Sequence, residues 1–218
     1  MRIVIAEDSA ILRAGLAQLL ELHGHEVAGQ LADGAAAVAA VHTAAAEPAG
    51  LNAVVMDIRM PPTFTDEGIR AALELRARHP DLGILVFSQY VEARFAQRLL
   101  EQGARGFGYL LKDRVADVSE FIEALDRVAA GGTALDPEIV TAMLNANADR
   151  ALASLTPREY EVLGLMAQGR SNAAIGRSLV ISDGAVEKHI GNVFSKLGLE
   201  PGADEHRRVV AVLRYLEA

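Results

Sequence analysis

The fold of this chain is decided by the stretch Val54-Val55-Met56-Asp57-Ile58-Arg59-Met60-Pro61. Its apolar, largely β-branched first residues are typical of a strand that is covered on both faces of a parallel sheet. The strand must end near Asp57, because Pro61 and Pro62 cannot donate the backbone hydrogen bonds of a sheet. Ligands of open parallel sheets bind at this carboxyl edge, so Asp57 is a candidate site residue. The alternative is an Asp that serves only the turn.

Three more apolar segments within residues 1–112 run directly into polar residues. These polar residues are Glu7 and Asp8 at the first of the three segments, Ser88 at the second and Lys112 at the last. All of them would reach the same sheet edge as Asp57, since parallel strands present their carboxyl ends on one side. The residue types and their order resemble the receiver domain of two-component response regulators.

Hydrophobic periodicity supports this architecture over residues 1–131. Five predicted strands alternate there with five predicted helices, which indicates a doubly wound, five-stranded parallel sheet of the α/β class. The flavodoxin-like strand order is implied by the resemblance. Residues 132–153 are predicted to be a linker, with a short helix that begins at Asp136-Pro137-Glu138 and reaches Leu144.

The carboxyl-terminal residues 154–218 carry a helical pattern. Thr156-Pro157-Arg158-Glu159 is a capping box with proline at the first helical position. A second helix fits Asn172 to Leu179, and Ser182 can cap a third. The buried stripe of that third helix is predicted to contain Val186, Ile190, Val193 and Leu197. From pattern alone, a purely structural bundle is as well supported as a DNA-binding unit.

Several segments of this region resemble the LuxR-type helix-turn-helix domain. They include Leu155-Thr156-Pro157-Arg158-Glu159, Ala185-Val186-Glu187-Lys188-His189-Ile190 and Lys196-Leu197-Gly198-Leu199. Together with the receiver pattern, the resemblance identifies a response regulator of the NarL/FixJ class, with an all-α four-helix domain at its carboxyl end. It implies that double-stranded promoter DNA is bound by a homodimer in the active form. The implied contact residues are Glu187, Lys188, Gly191, Asn192, Ser195 and Lys196.

The same resemblance implies the chemistry of the amino-terminal site. Asp57 would accept a phosphoryl group from the phosphohistidine of a sensor histidine kinase. Mg²⁺ would be held by Glu7, Asp8, Asp57 and the backbone carbonyl of Arg59, and crowded carboxylates do favour a hard divalent cation. No enzymatic turnover is expected beyond slow self-phosphorylation and self-dephosphorylation.

Three further residues would bind the phosphoryl group or report its presence. They are Ser88, Tyr109 and Lys112, and each has a simpler interpretation when taken alone. Ser88 could cap the next helix, Tyr109 could be an edge-strand aromatic, and Lys112 could be a surface cation. Their joint occurrence at predicted strand ends favours the functional interpretation.

Composition and charge set outer limits. The 218 residues suit two small domains or one large one, and the absence of Cys excludes disulfides and thiolate metal sites. With no apolar run of about 18 residues and no signal-peptide pattern, we expect a cytoplasmic protein without a membrane partner. The net charge is −8. Residues 1–149 hold 12 Lys and Arg against 21 Asp and Glu, whereas residues 150–218 hold 9 against 8, so the acidity belongs to the receiver part.

Two other functions are compatible with these residues. An aspartyl-phosphate hydrolase would need a second Asp two residues after the nucleophile, and that position is Arg59. A protein-interaction adaptor is favoured by Glu187, which stands where the family commonly has Lys, and by the weak positive charge. The sequence also departs from the family at residues 61–68, where the loop is longer than usual, and at Gly106-Phe107-Gly108.

Overall fold

The structure is a computed structural model that describes residues 1–115, 117–200 and 206–216, apart from the side chains of residues 147–149. The chain divides into two compact units, Met1–Met143 and Leu144–Ala218. No helix in the described part of the chain is both long enough and apolar enough to cross a membrane.

The amino-terminal unit is built from strands that alternate with helices. Its elements are β1 (Arg2–Ala6), α1 (Ala10–Leu22), β2 (Glu26–Leu31), α2 (Gly34–Ala46), β3 (Ala53–Met56), α3 (Glu67–Arg78), β4 (Gly83–Ser88), α4 (Ala93–Glu101), β5 (Phe107–Leu111), α5 (Val118–Ala129), β6 (Thr133–Leu135) and the first residues of α6 (Pro137–Ala153). The strands form one sheet in the order β2-β1-β3-β4-β5-β6, and all pairs are parallel.

Both faces of the central strands are covered, which explains their continuous apolar sequence. Successive residues of β3 point to opposite faces, so Val54 belongs to one hydrophobic cluster and Val55 to the other. The first cluster includes Ile69 of α3, and the second includes Phe121 of α5. The predicted doubly wound sheet is therefore confirmed, and it places the ends of β1, β3, β4 and β5 at one edge.

The prediction of five strands is wrong by one. Thr133–Leu135 forms β6, which pairs with β5 inside the segment that was expected to be linker. The helix that follows is not short, since α6 has 17 residues. Its Ile139 is fully buried in a cluster of the amino-terminal unit. That compact unit consequently extends to Met143, twelve residues beyond the predicted boundary at 131.

The described residues of the carboxyl-terminal unit form four further helices, as predicted: α7 (Pro157–Ala167), α8 (Asn172–Leu179), α9 (Asp183–Lys196) and α10 (Arg207–Leu216). Thr156 and Glu159 form the predicted reciprocal capping box at the start of α7. Ser182 caps α9 by accepting a hydrogen bond from the backbone N–H of Ala185. The predicted stripe of α9 is buried within a single core.

Candidate functional site

Three carboxylates meet at the carboxyl edge of the sheet. Glu7 and Asp8 follow β1, and Asp57 follows β3, which is the neighbour of β1 in the sheet. One carboxylate oxygen from each residue lies within 4.8 Å of the other two. Glu7 and Asp57 are 2% and 7% exposed, so their charges are poorly hydrated. The three acids line one cavity of about 390 Å³.

Lys112, at the end of β5, provides positive charge to this cluster. Its Nζ lies 2.7 Å from Oε2 of Glu7 and 3.0 Å from Oδ2 of Asp57. Burial works to lower the pKa of Lys112, but the contacts with Glu7 and Asp57 outweigh it and raise the pKa above its ordinary value. The lysine is therefore a fixed cation at neutral pH. With three carboxylates and one ammonium, the cluster has a net negative charge when all four groups are ionised, and a bound cation would offset it.

Both carboxylate oxygens of Asp57 have partners. Its Oδ1 accepts a hydrogen bond of 2.7 Å from the backbone N–H of Ile58, while Oδ2 faces Lys112. Burial raises the pKa of Asp57, and Lys112 acts against that rise. The side chain cannot turn away, because both oxygens are engaged. The carboxylate is thus presented to the cavity in one orientation.

Ser88 and Tyr109 lie next to one another behind this cavity, and both are fully buried. The hydroxyl of Ser88 accepts a hydrogen bond of 3.2 Å from the N–H of Tyr90. The hydroxyl of Tyr109 donates to the carbonyl of Tyr90 at 2.7 Å and accepts from the N–H of Glu92 at 3.3 Å. Burial, first of all, raises the pKa of Tyr109. Both side chains therefore hold the backbone that connects β4 to α4.

Arg59 borders the cavity on the side of that connection. Its guanidinium stacks on the ring of Tyr90, 3.6 Å from the centroid, and pairs with Glu92 at 2.8 Å. The three side chains form a wall that joins the loop after β3 to the loop after β4. The predicted role of the Arg59 carbonyl as a metal ligand stays a prediction.

The predicted DNA-contact residues share the solvent face of α9. All six, namely Glu187, Lys188, Gly191, Asn192, Ser195 and Lys196, are exposed. A Cβ added at Gly191 would meet no atom within 4 Å, so the face is open there. The turn before α9 contains Val180, which is 90% exposed and has a φ of 55°. A β-branched residue rarely adopts this left-handed conformation.

Two of the six exposed residues, Asn192 and Lys196, also interact with the buried Glu159. Nζ of Lys196 lies 2.7 Å from Oε2 of Glu159 and 3.0 Å from the carbonyl of Ser154. The buried Glu159 also interacts with the side chain of Asn192. The pKa of Glu159 is lowered to about 2, first by Lys196. The cation of Lys196 is thus engaged within the unit, and the open part of the face consists of Glu187, Lys188, Gly191 and Ser195.

Comparison with known proteins agrees with this division. Residues 3–126 match the response regulator receiver domain, and residues 153–204 match the bacterial regulatory proteins of the luxR family. The chain is 31% identical over 229 residues to the transcriptional regulatory protein LnrK of Bacillus subtilis (strain 168), with 99% of this chain and 97% of LnrK covered. The chain is a response regulator of the NarL/FixJ class.

Two more similarities extend over the receiver and LuxR-type domains of this response regulator. DegU of Brevibacillus brevis, a transcriptional regulatory protein, is 32% identical over 91% of this chain and 88% of its own. The RcsB response regulator of Salmonella typhimurium, solved in a study of its conformational dynamism for DNA interaction, aligns with a TM-score of 0.58. That alignment covers 100% of this chain and 98% of RcsB at 22% identity, so it shows the fold alone.

The receiver domain contains one feature that was only partly visible in the sequence. The loop after β3 directs Phe64 to the same cavity as Asp57. The sequence shows that this loop, which starts at Pro61-Pro62, is long. It does not show that Glu67 holds the loop in its conformation. Glu67 accepts hydrogen bonds from the backbone N–H groups of Thr63 and Thr65, at 3.1 and 2.9 Å. A Glu at the start of a helix is common, so no sequence signal distinguished this one.

Proposed function

We propose that Asp57 accepts a phosphoryl group from the phosphohistidine of a sensor histidine kinase, and that this event controls binding of a homodimer to promoter DNA. The observation that carries the proposal is the contact of 3.0 Å between Lys112 and Asp57, inside a cluster that has two further carboxylates. A fixed cation beside a buried, oriented carboxylate suits the transfer of a phosphoryl group, whose oxygens are negatively charged.

The acidic cluster fits Mg²⁺. Hard oxygen ligands, a net negative charge after pairing with Lys112 and an accessible cavity are what this ion requires. Glu7, Asp8, Asp57 and the carbonyl of Arg59 would hold it. When bound, Mg²⁺ supplies positive charge that offsets the charge of the transferred oxygens.

The transfer itself exchanges one bond for another. An oxygen of Asp57 attacks the phosphorus atom, the phosphorus–nitrogen bond of the kinase phosphohistidine breaks, and the electron pair remains on the imidazole nitrogen. Lys112 stays close to the acceptor and neutralises the phosphoryl oxygens. We expect no turnover beyond slow self-phosphorylation and self-dephosphorylation.

The signal would leave the site through Ser88. Its hydroxyl accepts from Tyr90 N–H and also interacts with the hydroxyl of Tyr109, and on phosphorylation it would turn to donate its proton to a phosphoryl oxygen. A shift of Ser88 toward the phosphoryl group would disturb Tyr90, whose carbonyl also accepts from Tyr109. Tyr109 would therefore report the phosphorylated state through its contacts with the segment between β4 and α4.

Binding to duplex DNA is proposed for the open face of α9. A helix that follows a short turn after another helix and presents small and polar side chains can enter a major groove. The DNA interaction for which RcsB was studied and the roles of LnrK and DegU as transcriptional regulatory proteins support it. A dimer is part of the proposal because the unit has nearly balanced charge, and two copies double the cations that face the phosphates.

The proposal is tested at Asp57. Asp57→Asn is nearly isosteric and should keep the fold, yet it should take up no label from acetyl phosphate in the presence of Mg²⁺. Wild-type protein, treated in parallel, should be labelled in a Mg²⁺-dependent manner. Equal labelling of both proteins would contradict the assignment of Asp57.

One observation favours a second candidate, a protein-interaction adaptor. Glu187 places negative charge on the open face of α9, where phosphates would repel it. Titration of random duplex DNA at several salt concentrations separates the two functions, because binding to DNA weakens steeply as salt rises. A protein that binds no duplex even at low salt would favour the adaptor.

A further inference from the structure

Phe64 occupies an unusual position at the mouth of the Asp57 cavity. It is 53% exposed, although it lines the cavity together with Asp57 and Lys112. Its φ is 56°, which is the left-handed region that an aromatic residue seldom adopts. An exposed apolar ring in a strained backbone conformation needs surroundings that hold it there.

The surroundings are supplied by Glu67. Its carboxylate, 8% exposed as a residue, binds the backbone N–H groups of Thr63 and Thr65, the two neighbours of Phe64, and also the hydroxyl of Thr63. The N–H of Phe64 donates to the carbonyl of Met60 at 3.0 Å. The loop around Phe64 is thus clamped on both sides of the ring.

The clamp is connected to the backbone of the acceptor residue. Gly68, next to Glu67, donates its N–H to the carbonyl of Ile58 at 2.9 Å. A Cβ at Gly68 would lie 1.7 Å from the carbonyl oxygen of Asp57, so only glycine allows this approach. The ring of Phe64 therefore has a position that is set relative to Asp57. The stacked pair of Arg59 and Tyr90 lines the same cavity.

We propose that Phe64 is a gate that restricts the access of water to the phosphoryl group on Asp57 and so prolongs its lifetime. The inference rests on the proposed function. Loss of the phosphoryl group requires a water oxygen to attack phosphorus while the bond to the Asp57 oxygen breaks; the electron pair returns to the carboxylate, and both water protons leave with inorganic phosphate. An apolar ring at the mouth offers that water no hydrogen-bond partner and reduces the space for its approach.

Removal of the ring tests the gate. Full-length protein is labelled with acetyl phosphate and Mg²⁺, the donor is removed, and the release of inorganic phosphate is followed over time. Phe64→Ala and Phe64→Gly should both lose the label at least about threefold faster than wild type, which corresponds to a barrier lowered by about 0.7 kcal/mol. Phe64→Tyr, which keeps the ring, should lose the label at nearly the wild-type rate.

Two more variants test whether faster loss of the label is specific to the Phe64 ring or follows from any perturbation of the domain. Glu67→Gln weakens the clamp and keeps the ring, so it should accelerate loss less than Phe64→Ala does. Leu22→Ala removes an exposed apolar side chain at the opposite end of α1 and should change nothing. Mg²⁺ affinity should be the same in wild type and Phe64→Ala, because Phe64 contributes no metal ligand.

The outcomes are distinct. An absence of label on wild-type protein overturns the proposed function and the gate with it. Labelled proteins with equal or slower loss in Phe64→Ala overturn the gate alone, and so does faster loss that is matched by a weaker affinity for Mg²⁺. Faster loss in Phe64→Ala and Phe64→Gly, with wild-type behaviour in Phe64→Tyr and unchanged Mg²⁺ affinity, establishes it.

Discussion

Glu159 at the start of α7 pairs with Lys196 at the end of α9 over 2.7 Å, so the last cation of α9 is bound by a buried acid of its own unit. Glu159 is 3% exposed, and it also belongs to the capping box of α7. The pair fixes the carboxyl end of α9 to the start of α7. Lys188, in contrast to Lys196, lies on the open part of the α9 face.

The two lysines should therefore respond differently to removal. Lys196→Ala should destabilise the carboxyl-terminal unit by about 1–2 kcal/mol, because Glu159 loses its partner, with the cost reduced by the partial exposure of the lysine. Lys188→Ala should leave stability unchanged and weaken binding to all duplexes, with the salt slope reduced by about one. Urea denaturation and salt titrations measure both effects. A reduced salt slope without loss of stability in Lys196→Ala would show that this cation contacts phosphate.

Glu187→Ala addresses sequence reading. If Glu187 accepts a hydrogen bond from a cytosine amino group, its removal should cost roughly 1–3 kcal/mol on the preferred site and little on random duplex. Binding to both duplexes is measured at one salt concentration. Tighter binding of Glu187→Ala to every duplex would mean that Glu187 only repels phosphates.

Asp8→Ala should weaken Mg²⁺ binding by at least about tenfold, or roughly 1.4 kcal/mol. Asp8 is the one acid of the cluster that the structure does not pair with Lys112, so its charge is available to a cation in full. Lys112→Ala is the matched variant, and it should not weaken Mg²⁺, because it removes positive charge. Isothermal titration of both proteins with Mg²⁺ checks this, and equal affinities of Asp8→Ala and wild type would exclude Asp8 as a ligand.

Val180 offers a gain of stability. Its φ of 55° is unfavourable for a β-branched side chain, and the side chain is 90% exposed, so it contributes little packing. Val180→Asn should stabilise the carboxyl-terminal unit by about 1 kcal/mol, because Asn tolerates this region of φ. Val180→Ala removes the branching without that tolerance and should gain less. Thermal unfolding of the three proteins decides whether the strain is real.

The environment of His25 should make the stability of the receiver domain depend on pH. Burial, followed by the amino terminus, lowers the pKa of His25, and neither ring nitrogen has a hydrogen-bond partner among the described residues. The unfolded state then binds more protons as the pH falls below about 6.5, so the free energy of unfolding decreases there. His25→Leu should show a smaller decrease between pH 7.5 and 5.5, with His206→Leu, at an exposed histidine of the carboxyl-terminal unit, as control. Identical pH dependence in His25→Leu and wild type would refute the interpretation.

Most of the receiver fold was accessible from its sequence, because buried parallel strands have an unmistakable apolar pattern. Strand β6 was not, since Thr133-Ala134-Leu135 is too short to show a period. It forms because β5 has a free side that accepts a partner. In the same way, α6 continues well beyond Leu144 through polar residues that carry no strong amphipathic signal.

The candidate site, too, was predictable only in part. Asp57, Glu7 and Lys112 were found because each ends a strand, and strand ends converge by topology alone. The contacts of Arg59 with Tyr90 and Glu92 join residues of two loops, and loop geometry has no periodicity to read. The orientation of Lys196 toward Glu159 was missed for a related reason. The helical period shows on which face of a helix a side chain lies. It does not show whether a residue of another helix forms an ion pair with that side chain.

Strand β6 also protects the sheet. It pairs with β5, whose residues Phe107 and Tyr109 are fully buried, and it ends the sheet with only three residues. A very short edge strand leaves few unpaired N–H and C=O groups, so it offers little to a strand from another molecule. A receiver fragment that ended at Gly131 would expose the unpaired edge of the longer, apolar strand β5 and should aggregate more readily. The shortest receiver fragment that stays monomeric should therefore include Thr133–Leu135 and the start of α6.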